Sequence, residues 1–141
     1  MATSTITNMR AALIALLSAR AGLDGVQIGY GMPSGALQRE HILLGPVDGT
    51  QEYAAIGTVR KFEDYTVSLY ISVTREGQQQ QTADERCMAL FAEVEAALRT
   101  DPTVTNTVLT AQVSRYRLEP LASDTTREAR LTVEIQTRAR I

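Results

Sequence analysis

The sequence predicts an α+β domain in which two helices pack on one face of a mostly antiparallel sheet, in the order α-β-β-β-α-β-β. Two runs alternate strictly. Tyr65, Val67, Leu69, Ile71 and Val73 interleave with Thr66, Ser68, Tyr70, Ser72 and Thr74; Leu131, Val133, Ile135, Thr137, Ala139 and Ile141 interleave with Thr132, Glu134, Gln136, Arg138 and Arg140. A period of two gives each strand one apolar face. Two other segments repeat apolar residues at helical spacing, and each needs such a face to bury its stripe. With 141 residues, 44% of them hydrophobic, the chain is long enough for one core, so 1–141 reads as a single domain.

The first helix carries Ile6, Met9, Leu13, Leu16 and Leu17 on one stripe. It is expected to begin after Ser4 or Thr5, both good N-caps, and to stop near Gly22, which suits a left-handed C-cap. Arg10, the run Ala11–Leu17 and Ala19-Arg20-Ala21 imitate a secretory signal peptide. The apolar run is minimal and the helical stripe passes through it, so it reads as structure. It is also far short of the roughly 20 residues that span a bilayer. Val26–Tyr30 follows as a short strand, Gly29–Gly35 as a turn-rich link, and His41–Gly45 as a second strand closed by Gly45-Pro46. Val47–Gln51 reads as a loop that turns at Asp48-Gly49.

From Tyr53 to Arg75 the chain reads as extended, with room for an extra strand near Tyr53–Arg60. A strand from Phe62 to Arg75 spans roughly 45 Å at about 3.3 Å per residue, long enough for one end to overshoot the core. Gly77 breaks it and Gln78–Gln81 leads into the second helix. There Thr82-Ala83-Asp84-Glu85 has capping-box spacing. Cys87, Leu90, Phe91, Val94, Ala97 and Leu98 form the stripe, and Leu90, Phe91 and Val94 are expected to pack on Leu69, Ile71 and Val133. Asp101-Pro102 ends the helix. Val108–Leu118 is extended, with an apolar phase that slips between Val113 and Tyr116 and places a bulge near Ser114-Arg115. Glu119–Glu128 reads as a mostly polar loop opened by Pro120, before the last strand.

Composition excludes several kinds of chemistry. Fourteen basic against 16 acidic residues leave a formal charge of −2, without the basic footprint of a nucleic-acid binder. Aromatics at 5% argue against base-stacking platforms. One Cys forbids an intramolecular disulfide, and one Cys with one His cannot close an ordinary zinc site. Every basic residue but Lys61 is Arg, which fits forks to carboxylates or simply a GC-rich genome. His41 opens a strand with no partner for a catalytic dyad, and Cys87 falls on an apolar stripe. Gly29-Tyr30-Gly31 starts like a dinucleotide loop, but the next glycine is Gly35, a Pro intervenes and no helix follows. Glu63/Asp64 are sequence neighbours on a strand, which sends them to opposite faces; Asp84/Glu85 read as a solvated helix face. Arg138 and Arg140 share a strand face that is either simply exposed or binds an anion or a partner's carboxylate. No catalytic residue, cofactor or metal is expected.

Several stretches resemble the tail terminators of long-tailed bacteriophages with flexible, non-contractile tails. They are Met9-Arg10-Ala11-Ala12-Leu13, Ile28-Gly29-Tyr30-Gly31, Arg39-Glu40-His41-Ile42, Ala83-Asp84-Glu85-Arg86 leading to Leu90-Phe91-Ala92-Glu93-Val94, and Arg127-Glu128-Ala129-Arg130-Leu131. The resemblance covers nearly the full length. It implies a non-enzymatic virion protein, assembled in the host cytoplasm, that forms a six-fold ring, caps the tail tube, stops its polymerisation and joins it to the head connector. Partners would be further copies of the chain, the tube protein and the connector or neck protein, with DNA passing through the channel and no membrane involved. The alternatives are a head-tail joining, tail-completion or tube protein, or, in another class, a small-ligand regulatory domain.

In such a ring the functional contacts are expected on loops and strand ends: Pro46–Glu52, Glu76–Gln81 and Ala122–Glu128. Acidic Asp48 and Glu52 would line a channel without trapping DNA, because carboxylates repel phosphates. Arg75, Arg127 and Arg130 are the candidates for bidentate forks to carboxylates of a neighbouring subunit.

Overall fold

The computed structural model describes residues 3–57 and 59–141. Among them lie helices α1 (Ile6–Ser18) and α2 (Gln80–Thr100) and strands β1 (Gln27–Gly29), β2 (Glu40–Tyr53), β3 (Lys61–Glu76), β4 (Thr110–Ala122) and β5 (Thr126–Arg140). The class and element order are those the sequence predicts. The strands form one sheet in the order β1-β2-β3-β5-β4; β1 is parallel to β2 and the other pairings are antiparallel. The last strand thus slots between β3 and β4. Both strictly alternating runs lie at the centre of the sheet, where each is paired on both sides and one face is buried. Leu69, Ile71 and Val133 share the core with Leu90, Phe91 and Val94 of α2 and with Met9, Leu13 and Leu17 of α1.

The start of α1 is held by a buried carboxylate. Glu63, only 2% exposed, receives the Ser4 hydroxyl and the Thr5 N–H (3.2 Å), while Ser4 Oγ accepts the Ile6 N–H at 3.1 Å. A negative charge here complements the positive end of the helix dipole. The other end corrects the sequence reading: α1 stops at Ser18 and a 3-10 turn, Ala21–Leu23, carries the chain past Gly22. Gly22 is not a left-handed cap. A Cβ there would sit 2.3 Å from the Glu93 carboxyl carbon, and Glu93 is paired with Arg20 at 2.9 Å.

The edge strands depart furthest from expectation. β2 does not stop at Gly45-Pro46; a register shift between Leu44 and Val47 absorbs that dipeptide and the strand continues to Tyr53. Nor does Asp48-Gly49 turn. Gly49 pairs with Tyr65, and a Cβ on it would lie 2.8 Å from the Tyr65 Cβ. Because β1 pairs only with His41–Leu43, Pro46 lies in a register shift on a part of β2 with no outer neighbour among the described residues, and bulges and edges are where a strand accommodates proline. The same holds at the opposite edge, where Pro120 pairs inward with Ala129. β4 therefore runs on to Ala122, and the expected loop Glu119–Glu128 shrinks to a hairpin turn between Ala122 and Thr126. The segment near Tyr53–Arg60 is not a strand of its own. Tyr53 ends β2 and the Ala54 N–H donates to the Arg60 carbonyl at 2.9 Å; Thr58 lies outside the described residues.

Helix α2 starts at Gln80, so Thr82 falls inside the first turn and the expected capping box is not used. The Gln80 side chain explains the earlier start. Its amide donates to the Glu128 carbonyl and to Asp84 Oδ1, each at 2.9 Å, and Gln81 donates to Glu85 at 2.8 Å. Asp101-Pro102 ends the helix as expected. Beyond it Val104, Thr105 and Asn106 take left-handed φ values of 45°, 56° and 59°. Asp101 holds this turn, accepting the Thr105 N–H at 2.8 Å and the Thr103 hydroxyl at 2.9 Å, bonds that lower its pKa, and Val104 is fully buried beneath. The β4 bulge lies between Val113 and Arg115, where the phase of the sequence slips.

Candidate functional site

The five candidate contact residues do not converge. Asp48 pairs with Thr66 and Glu52 with Phe62 on the sheet face away from the helices, whereas Arg75 pairs with Arg127 at the far end of β3. Thr66 and Arg75 are nine residues apart on one strand, roughly 30 Å. Nor are the three arginines on one surface. Arg130 pairs with Ser72 and so faces away from the helices, opposite to Arg75 and Arg127.

Arg75 meets its carboxylate inside the chain. Glu40, at the start of β2, accepts from Arg75 and, through both oxygens, from Arg86 of α2 at 2.8 and 3.1 Å. The Arg86 bonds, with help from Arg75 and against partial burial, hold the Glu40 carboxyl below its usual range. Glu40 thus ties the edge-side strand β2 to the helix that covers the sheet. Arg127 donates to the Ser123 and Thr126 carbonyls at 2.7 and 2.8 Å, bracing the β4–β5 hairpin turn. Arg130 pairs with Glu128 at 3.1 Å, and Glu128 also takes the Ser72 hydroxyl at 2.6 Å. Arg138 is engaged as well. It contacts Asp64 at 3.2 Å and Glu52 at 3.7 Å, and its guanidinium lies 4.3 Å from the centre of the Phe62 ring.

The two groups with nucleophile or base chemistry are structurally occupied. His41 Nδ1 lies 2.8 Å from the Gln38 carbonyl at the strand start. Cys87 is fully buried, its Sγ 3.7 Å from the Ile71 carbonyl, and burial pushes the thiol up to about 11. Among the described residues no group of three or more His, Cys, Asp or Glu is placed to hold a metal ion, and no helix is long and apolar enough to cross a membrane.

Two apolar features escape the sequence reading. Where β2 and β3 join, Ile56 is fully exposed, with Val59 at 70% and Tyr53 at 66%. The Lys61 ammonium sits 5.1 Å from the centre of the Tyr53 ring. The signal was present: Tyr53-Ala54-Ala55-Ile56-Gly57 puts apolar residues in a turn, where polar ones are usual. The second feature is a groove of about 440 Å3 between α2 and β4, walled by Met88, Phe91, Glu95, Val113 and Tyr116. Ala92 lines its helix side, and on the strand side Ser114, in the β4 bulge, donates its hydroxyl to the Glu134 carbonyl at 3.2 Å. Tyr116 stays 61% exposed, its ring 5.3 Å from that of Phe91.

No protein-family model matches the chain, and no curated protein sequence does either. Its fold is similar to that of one chain in a solved structure described as the virion of a native gene transfer agent (GTA) particle. The two are 16% identical, the match covers 98% of this chain and 100% of that one, and the TM-score is 0.52. At that identity what the two chains share is the fold, and they share it end to end.

Proposed function

We propose that this chain is a structural protein of a phage-type virion, a ring-forming subunit that caps the tail tube, ends its growth and presents its other face to the head connector. The observation that carries the reading is the end-to-end likeness to a chain of a gene transfer agent virion, with neither chain left over. The sequence resemblance to tail terminators points the same way and supplies the finer role. Local features are compatible with it. The ionic groups are spent on holding strands and helices together, as Glu40 and Arg138 are, rather than gathered around a cleft. Asp48 and Glu52 share the face away from the helices, where carboxylates toward a channel would let DNA slide. In this reading the protein is not an enzyme, and His41→Ala leaves its assembly and capping intact.

The deciding experiment is negative-stain imaging with native mass measurement of the purified protein, followed by addition to growing tail tubes. A closed ring of fixed copy number that halts tube growth is the expected result. An open polymer would assign the chain to the tube instead, and a dimer without rings would favour a ligand-binding regulatory domain.

A further inference from the structure

We infer that the apolar tip formed by Tyr53, Ile56 and Val59 seats in the α2–β4 groove of a second copy of this chain, head to tail; the inference rests on the ring reading above and names the contact that builds it. Exposed apolar groups concentrated at one point mark contact sites, since scattered ones need no partner. The groove offers about 440 Å3, against the roughly 150 Å3 that suffices for a benzene-sized guest. Two aliphatic side chains fit such a space.

A single chain cannot join its own tip to its own groove. Tyr116 and Val113 align, through Val133 and Ile135, with Leu69 and Val67 of β3, six to eight residues from Lys61 at the tip. That separation is roughly 20–26 Å along the strands, plus about 10 Å across the two inter-strand steps from β3 to β4. Knob and hole therefore meet only between copies.

Charge favours the same pairing. Lys61, beside the knob, has no carboxylate partner among the described residues, only the Tyr53 ring. The groove wall carries Glu95, whose one partner there is Arg99 at 2.5 Å. A contact between two unlike patches of one chain is heterologous, and it closes into a ring when the rotation per step divides the circle.

The test uses two double variants of the full chain, Ile56→Asp with Val59→Asp at the tip and Met88→Asp with Tyr116→Asp at the groove. All four side chains are exposed enough to change without opening the core. Native mass and circular dichroism are measured for each variant and for their equimolar mixture. The expected result is that each variant alone falls to the 15.4 kDa of one chain with an unchanged spectrum. The mixture then forms a species of twice that mass, because the tip variant keeps a good groove and the groove variant a good tip. Rings that persist in either variant, or a mixture that stays monomeric, overturn the inference while leaving the ring reading standing. Tip variants that still form rings but no longer cap tubes also overturn it, since the tip would then meet another protein. A wild-type chain that never forms rings overturns the ring reading itself and the contact with it. If a double variant loses its spectrum, Ile56→Asp and Met88→Asp alone decide by the same criteria.

Discussion

The Arg86 guanidinium on α2 grips both oxygens of Glu40 on β2, at 2.8 and 3.1 Å, while Arg75 takes a share of the same carboxylate from β3. Three elements meet at one ion, so its protonation state bears on stability. The folded pKa is depressed below the ordinary carboxylate value of 4.5, chiefly by the Arg86 hydrogen bonds. The contribution is therefore fully present above that value and is lost progressively as pH falls from about 5 through the folded pKa. Glu40→Gln should cost about 1–2 kcal/mol in urea unfolding at pH 7, because the group is only partly buried. At pH 3 the gap between variant and wild type should shrink. An equal cost at both pH values would show that the charge contributes nothing.

Gly49 is held by contact, not by a turn. Its missing Cβ would lie 2.8 Å from the Tyr65 Cβ and 3.1 Å from the Asp64 carbonyl oxygen. Gly49→Ala should destabilise by about 1–3 kcal/mol through overpacking of β2 on β3. Gly35→Ala is the control, since nothing lies within 4 Å of the added methyl. Thermal melts of the two variants should separate; coincident melts would contradict the close approach.

Phe91 closes the floor of the α2–β4 groove. It is 6% exposed and its ring lies 5.3 Å from that of Tyr116, so most of its surface is buried and a little faces the groove. Phe91→Ala should cost about 3 kcal/mol, the low end for a buried aromatic, because the groove lets the site relax. A lower urea midpoint with an unchanged m-value is the expected signature.

Arg127 and Arg130 separate two surfaces in one experiment. Each replaced by Glu, they place negative charge on opposite sides of the sheet, Arg127 toward the helix side and Arg130 away from it. The double variant should keep its circular dichroism, because Arg127 braces only a hairpin turn and Arg130 an exposed pair. It should nonetheless lose rings, because strand ends and the turns that join them are where subunits of a ring meet. Rings that survive and still cap tubes would remove both arginines from the contact surface.

The sequence by itself determined the class, the element order, the two central strands, the core stripe of α2 and the β4 bulge. Each of these is written in apolar periodicity, and periodicity is reliable where one face is buried and the other is not. Strands β3 and β5 show it best because each is paired on both sides, so no proline or glycine interrupts them. What only the tertiary structure decided lies at the edges. Gly45-Pro46, Asp48-Gly49 and Pro120 read as stops and turns because in an interior strand they would break the ladder. In β2 and β4 they sit where the strand has no outer neighbour among the described residues, so both strands run on: Pro46–Glu52 becomes strand and Ala122–Glu128 tightens to a hairpin. Pairings such as Glu40 with Arg86 and Phe91 with Tyr116 join residues tens of positions apart. No local pattern encodes such distances; they follow from how the sheet is ordered and where α2 crosses it.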